Sequence, residues 1–172
     1  MNKGYVNINK YKNVEETNQN VGSDKSNHKF CFSIASNREK HITIGEFTRD
    51  SKRFDGGGHT EENIKFLKEN KIPYEINLIY NNGVRVGNIL NAKNSIYSKG
   101  NNHSWFPSDW DMNTINDAIK YLTKDIKATP VERSSITGQY KGVKVTIVFG
   151  KNGSISTIYP NKDQPGGIKD DK

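Results

Sequence analysis

Two histidines, His41 and His59, are the side chains in this sequence best suited to move protons, and they frame one short glycine-rich stretch. An imidazole pKa of about 6.5 lets a histidine act as an acid or as a base near neutral pH. Gly56, Gly57 and Gly58 directly precede His59. Glycine has no Cβ and lets the backbone approach a ligand closely, so Gly57 and Gly58 are candidate substrate-binding residues. The pattern predicts an acid and a base beside one binding loop.

The residues that follow His59 predict the start of a helix. Thr60 is a typical N-cap residue, and Glu61 and Glu62 supply an acidic first turn. The unpaired N–H groups and partial positive charge of a helix N-terminus favour phosphate. The same field would lower the pKa of His59 and keep the ring neutral, as a base must be. Two histidines beside an anion site indicate phosphodiester chemistry.

The same residue types also fit proteins with a different chemistry. Both histidines could be structural, and three successive glycines could form a flexible turn. A metal-dependent enzyme could use His41 and His59 with Glu46 or Asp55 as ligands, although the sequence lacks a closely spaced pair such as H-E-x-x-H. A non-catalytic RNA-binding domain would need neither histidine.

Composition sets outer limits on the protein class. The 172 residues are one domain's worth, and 26 Lys plus Arg against 19 Asp plus Glu leave a net charge of +7. Such a charge favours polyanions such as RNA. The single cysteine, Cys31, excludes an intramolecular disulfide and a cysteine zinc cluster, and we expect it to be a small core residue. No apolar run has the length of a signal peptide or a membrane span.

The elements that carry the histidines are predicted from periodicity. Residues 41–47 alternate, which predicts a strand with His41 on the face opposite to Ile42 and Ile44. Residues 29–35 are a short strand or a buried helical turn, because periodicity cannot separate the two over so few residues. Residues 49–55 are predicted as a charged loop.

Two amphipathic helices are predicted. The first runs from Thr60 to Asn70 with Ile64 and Leu67 inward, and Pro73 marks its end. The second runs from about Asn113 to Ile126. Its apolar stripe consists of Ile115, Ala118, Ile119 and Leu122.

Two antiparallel hairpins complete the predicted fold. Residues 74–81 and 83–91 are joined by Asn-Gly, a strong tight-turn signal. Residues 140–149 and 154–160 form the second hairpin, with Val143, Val145, Ile147 and Phe149 on one face. Thr157 and Tyr159 are two residues apart and therefore point to one side of their strand. The fold class is α+β, dominated by antiparallel hairpins with two principal helices.

A cluster of aromatic residues precedes the second helix. Trp105, Phe106 and Trp110 follow a polar stretch, and such clusters usually pack in a core or anchor a helix. A platform on which RNA bases stack is the alternative.

Several of these motifs together resemble the EndoU family of endoribonucleases, in particular its bacterial toxin branch. The motifs are His41-x-x-x-Gly45-Glu46, Gly56-Gly-Gly-His59, Ser104-Trp-Phe-Pro-x-x-Trp110 and Thr157-Ile-Tyr159. Together they cover roughly residues 38–160. The resemblance implies a fold like that of EndoU and ribonuclease A-like toxins.

The resemblance also implies a mechanism. His59 would be the general base that removes the ribose 2′-hydroxyl proton, and His41 the acid that protonates the departing 5′-oxygen. The products would be a 2′,3′-cyclic phosphate and a 5′-hydroxyl, with no metal or cofactor required. Thr157 would read the base and Tyr159 would support the ribose.

The family's third catalytic residue is typically a lysine shortly before a serine, here Ser104, which we include among the substrate-binding residues. Lys99 precedes Ser104 by five positions, one away from the expected spacing. Lys99, Lys93 and His103 are therefore all open for this role, with Lys99 as the first choice. Such a cation would neutralise charge in the transition state.

The toxin branch implies a biological setting. Its members are often C-terminal payloads of polymorphic or contact-dependent inhibition toxins, delivered to the cytoplasm of a target cell. We accordingly expect an RNA substrate, with tRNA the expected target, and a cognate immunity protein, with no membrane partner. Residues 1–28 are predicted as a polar linker or loosely ordered arm, 29–160 as the nuclease domain, and 161–172 as a flexible tail that is disordered or lies against the surface.

Overall fold

The computed structural model describes residues 32–49 and 52–169. Within these residues the helices are α1 (Ser36–Thr43), α2 (Glu61–Glu69) and α3 (Met112–Thr123). The strands are β1 (Glu46–Phe47), β2 (Phe54–Gly56), β3 (Tyr74–Ile79), β4 (Arg85–Ile89), β5 (His103–Trp105), β6 (Ser135–Tyr140), β7 (Val143–Phe149) and β8 (Ile155–Pro160). The predicted arm, residues 1–28, and Cys31 lie outside the described residues. In the described part, no helix is long and apolar enough to cross a bilayer.

The strands form three small antiparallel sheets, and the α+β prediction is confirmed. Their orders are β1-β2, β3-β4-β5 and β6-β7-β8. Both predicted hairpins are present as β3-β4 and β7-β8. In the first turn, Gly83 adopts φ +85° and donates its N–H to the Tyr80 carbonyl at 2.8 Å, which explains the glycine of the Asn-Gly signal.

Both principal helices begin as predicted, because their caps are local features. Thr60 Oγ1 accepts the Glu62 N–H at the start of α2, and Asp111 Oδ1 accepts the Thr114 N–H at the start of α3. The inward residues Ile64 and Leu67 are buried. The predicted stripe of α3 packs in the core, with Leu122 partly buried.

The strand predicted for residues 41–47 is wrong. Residues 36–43 form α1, and β1 begins only at Glu46. Gly45 separates the two elements with φ +90°, and its N–H still donates to the Lys40 carbonyl at 2.9 Å. Only Ile42 and Thr43 are buried in α1. The helix therefore has no apolar stripe, and the alternation of residues 41–44 is too short to separate a strand from a helix.

Three strands were not predicted. Strand β2 begins at Phe54, inside residues 49–55, which were predicted as a charged loop. Strands β5 and β6 were missed for two other reasons. All three residues of β5 are buried, so the strand shows no alternation of apolar and polar residues. In β6, Gly138 stands where the strand faces α3, since an added Cβ would lie 2.5 Å from Leu122 Cδ2. A glycine at a core-facing position weakens the apolar pattern on which strand prediction depends.

Two apolar clusters lie on opposite faces of the β3-β4-β5 sheet. The first contains Val86 of β4 and Val84, the residue before that strand, and packs against α3 and the β6-β7-β8 sheet. The second contains Ile89 and Trp105 and packs against α2. Trp105, Phe106 and Trp110 are at most 7% exposed. Their predicted role as core residues is confirmed, and this burial leaves none of these three rings accessible for stacking on a base.

Part of the predicted tail lies against the protein surface. Ile168 pairs with Tyr80 in an antiparallel bridge. Asn81 donates its N–H to the Gly167 carbonyl at 3.1 Å, and Lys169 donates to the Ile79 carbonyl at 2.7 Å. The C-terminal residues therefore extend the outer edge of the β3-β4 hairpin.

Candidate active site

The backbone segments that carry the two predicted catalytic histidines are hydrogen-bonded to each other. Gly58 donates its N–H to the His41 carbonyl at 2.7 Å, and His59 donates to the Ile42 carbonyl at 2.7 Å. An added Cβ on Gly57 would lie 1.9 Å from the His41 carbonyl oxygen. The close approach that these glycines permit is thus between the chain before His59 and the end of α1. A contact of Gly57 or Gly58 with substrate stays a prediction.

His41 lies beside a carboxylate and a guanidinium. Its Nδ1 is 3.0 Å from Glu46 Oε1, and Arg38 Nη1 is 3.6 Å from the same oxygen. Arg38 Nε donates to the Ser156 carbonyl at 3.0 Å, which ties the group to β8. Burial lowers the pKa of His41, the Arg38 charge lowers it further, and Glu46 opposes both.

His59 is held as a neutral ring with a defined tautomer. Its Nδ1 is 2.8 Å from the Ser104 carbonyl oxygen. Because a carbonyl can only accept, the proton is on Nδ1 and Nε2 keeps its lone pair. Burial lowers the pKa of His59 to about 4, while the bond to Ser104 opposes the shift and His41 adds to it. The predicted direction is confirmed, but the main cause is burial rather than the field of the α2 N-terminus.

His103 lies directly against His59. The two rings stack with centroids 5.0 Å apart and planes 10° apart. His103 Nε2 donates to the Gly58 carbonyl at 2.8 Å, and the side chain is only 2% exposed. Burial lowers the pKa of His103 well below its usual value. A neutral, buried ring cannot serve as the cation that we considered for this position.

The two candidate lysines lie at the surface. Lys93 Nζ forms an ion pair with Asp55 Oδ2 at 3.1 Å. Lys99 follows a 3₁₀ turn (Ser95–Ser98). The Lys99 carbonyl accepts a hydrogen bond from Asn102 Nδ2 at 2.9 Å. Both side chains are exposed. A catalytic role for Lys99 stays a prediction.

Strand β8 brings Tyr159 to the same site. The Tyr159 ring lies 5.6 Å from the His59 ring, with planes 37° apart. Thr157 is on the same side of the strand, two residues away. Among the described residues, the Thr157 hydroxyl oxygen is buried and has no hydrogen-bond partner. A buried polar atom without a partner is costly, and a ligand could satisfy it.

Ser104 contributes to the site through its carbonyl, which holds His59. Its hydroxyl donates to the Pro160 carbonyl at 2.6 Å and is buried. This bond joins β5, whose Ser104 carbonyl holds His59, to the end of β8, which carries Tyr159. The side chain of Ser104 is therefore used within the protein.

Two residues that support the site were not identified from the sequence. Arg38 is three positions before His41, a spacing that places both on one side of a helix, so a correct prediction of α1 would have found it. Asn63 is fully buried on α2; it donates to the Ile44 carbonyl at 2.6 Å and accepts from Trp105 Nε1 at 2.8 Å. A polar residue directly before Ile64 in an apolar stripe was the available signal.

The site contains the parts for proton transfer at a phosphodiester. A neutral imidazole whose Nε2 carries a lone pair can accept a proton, and a second imidazole beside a carboxylate can donate one. Within the described residues, no group of three or more His, Cys, Asp and Glu side chains is arranged to hold a metal ion. His41, His59, Glu46 and Asp55 therefore do not form the ligand set that the metal alternative requires.

Comparison with known proteins identifies one family. The bacterial EndoU nuclease family matches this chain over residues 35–162. No curated protein and no solved structure matches the chain.

Proposed function

The chain belongs to the bacterial EndoU nuclease family, and we propose that it cleaves RNA by attack of the ribose 2′-hydroxyl on the adjacent phosphate. The observation that carries this proposal is the state of His59: Nδ1 donates to the Ser104 carbonyl at 2.8 Å, and burial lowers the pKa to about 4. His59 Nε2 is thus an unprotonated base at neutral pH. The net charge of +7 supports a polyanionic substrate.

The proposed reaction moves two protons. His59 Nε2 takes the proton of the 2′-hydroxyl while that oxygen forms a bond to phosphorus. The bond from phosphorus to the 5′-oxygen breaks, and His41 gives that oxygen a proton. The products are a 2′,3′-cyclic phosphate and a 5′-hydroxyl. The nucleophile belongs to the substrate, so the chemistry requires no metal-bound water.

The proposed acid must be protonated when substrate is bound. Burial and Arg38 lower the pKa of His41, which disfavours this state, while Glu46, 3.0 Å from Nδ1, favours it. A bound phosphodiester adds a second negative charge beside the ring and raises the pKa further. We propose that Glu46 and the substrate phosphate together keep His41 protonated.

Tyr159 and Thr157 are proposed to hold the nucleotide. Tyr159 lies against His59, where the ribose that loses its 2′ proton must sit. The buried Thr157 hydroxyl, which has no partner among the described residues, can donate to or accept from a base edge. This proposal assigns ribose support to Tyr159 and base recognition to Thr157.

A toxin role is the biological part of the proposal. It rests on the resemblance of the histidine and Thr-x-Tyr motifs to the toxin branch of the family. A delivered endoribonuclease of this kind would act on RNA in the target cell, with tRNA the expected substrate, and its producer would need an immunity protein. Induced expression in cells should arrest growth, whereas expression of His59→Ala should not. Equal growth arrest by both proteins would contradict this role.

The direct test uses purified protein and RNA. Total RNA should be cleaved equally with and without a chelator, and the fragments should carry a 2′,3′-cyclic phosphate and a 5′-hydroxyl. An oligonucleotide with one 2′-deoxy sugar at the cleavage position keeps its phosphate contacts and should bind without being cut. Cleavage of the deoxy site at an unchanged rate would overturn the mechanism. Activity that chelator abolishes and a divalent ion restores would favour a metal-dependent nuclease.

A further inference from the structure

His59 and His103 exchange hydrogen bonds across the two chain segments that carry them. His59 Nδ1 donates to the carbonyl of Ser104, the residue after His103, at 2.8 Å. His103 Nε2 donates to the carbonyl of Gly58, the residue before His59, also at 2.8 Å. The two rings stack between these bonds, with their planes 10° apart. Each ring therefore fixes the backbone that carries the other.

We propose that His103 is a positioning residue that holds the His59 ring in the orientation needed for base catalysis. This inference rests on the proposed function, because it assigns a role relative to the proposed base. His103 acts in two ways: its ring face supports the face of His59, and its N–H holds the carbonyl of Gly58. Both contacts limit rotation of the His59 ring and movement of its backbone.

The surroundings of His103 make it a rigid support. Its ring meets Phe54 edge-on at 5.2 Å and Trp105 at 4.5 Å, and Tyr97 lies 6.3 Å away. The side chain is 2% exposed. A ring enclosed on its other sides by aromatic residues cannot move away from His59 without disturbing the core.

The same geometry separates His103 from a catalytic role. Its Nε2 proton is committed to Gly58, so this nitrogen is not available to substrate. A second positive charge would repel a proton on His59 at 5.0 Å and would be buried at high cost. His103 must therefore be neutral while it supports His59, and its ring is too deeply buried to contact the scissile phosphate.

Two substitutions separate the contacts. His103→Phe keeps a flat ring against His59 but loses the donor to Gly58, whereas His103→Gln keeps an amide donor and loses the ring. Since a small misplacement of a catalytic group can cost about 100-fold in rate, we expect kcat to fall about 10- to 100-fold in each variant, with KM nearly unchanged. The core variant Ile119→Val, in α3, is the control for lost stability, and its kcat should be that of wild type.

A change of leaving group tells the base from the acid. A nucleoside 3′-(para-nitrophenyl phosphate) releases an anion that needs no proton. On this substrate His41→Ala should recover most of its activity, whereas His59→Ala and His103→Phe should stay defective, because both impair proton removal from the 2′-hydroxyl. If His103→Phe recovers together with His41→Ala, His103 does not act through the base.

The wild-type protein offers a test that does not depend on the variants folding. Nitrogen NMR of the imidazoles should show the proton of His59 on Nδ1 and that of His103 on Nε2, with both rings neutral at the pH of maximal activity. A cationic His103, or a proton on its Nδ1, would overturn the proposal. So would wild-type kcat in both His103 variants while His59→Ala is inactive, whereas an active His59→Ala would instead overturn the proposed function.

Discussion

The His41 carbonyl accepts the Gly58 N–H at 2.7 Å, so the last turn of α1 and the segment before His59 form one hydrogen-bonded unit. The proposed acid and base are separated by 17 intervening residues in the sequence, yet this hydrogen bond and the one from the His59 N–H to the Ile42 carbonyl join the two segments that carry them. Gly57 and Gly58 permit the contact because neither carries a Cβ.

The first prediction concerns Gly57. Gly57→Ala should lower both stability and cleavage, because its Cβ would lie 1.9 Å from the His41 carbonyl oxygen. The matched control is Gly142→Ala, which has φ +76° against +72° for Gly57 and no atom within 4 Å of an added Cβ. The control should lose only about 1–2 kcal/mol, the cost of a left-handed residue, and keep full activity. Denaturant unfolding measures stability, and cleavage assays measure activity. Equal losses in the two variants would refute the importance of the close approach between Gly57 and the His41 carbonyl.

The second prediction concerns the two histidines as separate groups. Replacement of either His41 or His59 with Ala should lower cleavage about 10²- to 10⁴-fold, the usual range for general acid–base catalysis. RNA binding should survive, because phosphate contacts supply much of the affinity. Single-turnover cleavage and filter binding measure the two properties. Near wild-type rates in both variants would remove the histidines from the mechanism.

The third prediction is a pH optimum on the acid side of neutrality. His59 must be neutral, and its pKa is lowered to about 4, so kcat/KM should rise as pH increases through about 4. His41 must be protonated, and its pKa is lowered from 6.5, so the midpoint of the alkaline fall in kcat/KM should lie below pH 6.5. In kcat, the alkaline limb should lie at higher pH, because bound phosphate raises the pKa of His41. A flat profile across this range would contradict the assignment.

Glu46 provides the variant for this pH profile. Glu46 raises the pKa of His41, so Glu46→Gln should lower that pKa and move the alkaline limb to lower pH. Asp117→Asn is the matched control, since Asp117 pairs with exposed Lys120 at 3.2 Å on α3. The control should leave the limb in place. A shift of equal size in both variants would indicate a general charge effect.

The fourth prediction links the same histidine to stability. The pKa of His59 is 6.5 in the unfolded chain and about 4 in the folded protein. The unfolded state therefore binds more protons between these values, and stability falls as pH drops from 6.5 towards 4. His59→Gln has no proton to take up at this position, so its Tm should fall less than that of wild type over the interval. Parallel Tm curves would show that folding does not lower the pKa of His59.

The fifth prediction concerns β8. Tyr159→Ala should slow cleavage, whereas Tyr159→Phe, which keeps the ring beside His59, should retain most of the rate. Thr157→Val removes a hydroxyl that has no partner among the described residues, so stability should be kept while the preferred dinucleotides change. Thr137→Val, in β6 of the same sheet, is the control and should leave the preference unchanged. Sequencing of cleavage sites measures the preference. Loss of folding in the Tyr159 and Thr157 variants would indicate that these two side chains only stabilise the strand.

Features set by neighbouring residues were determined by the sequence alone. The start of α2 follows from Thr60, since the hydrogen bond of an N-cap joins residues only two or three positions apart. The β3-β4 turn follows from Asn82-Gly83 for the same reason. The stripe of α3 and the apolar face of β7 repeat with the periods of a helix and a strand, so they too were visible. Family membership depends on such short motifs and their spacing.

Only the tertiary structure decided which contacts His59 and His103 make with each other. The bonds from His59 to Ser104 and from His103 to Gly58 each join residues 45 positions apart, and no local pattern predicts such a pair. Strand β5, buried on both faces, and helix α1, which buries only Ile42 and Thr43, have no periodic signal. The low pKa of His59 comes mainly from burial. Burial is a sum over all surrounding atoms, which exists only once the chain has folded.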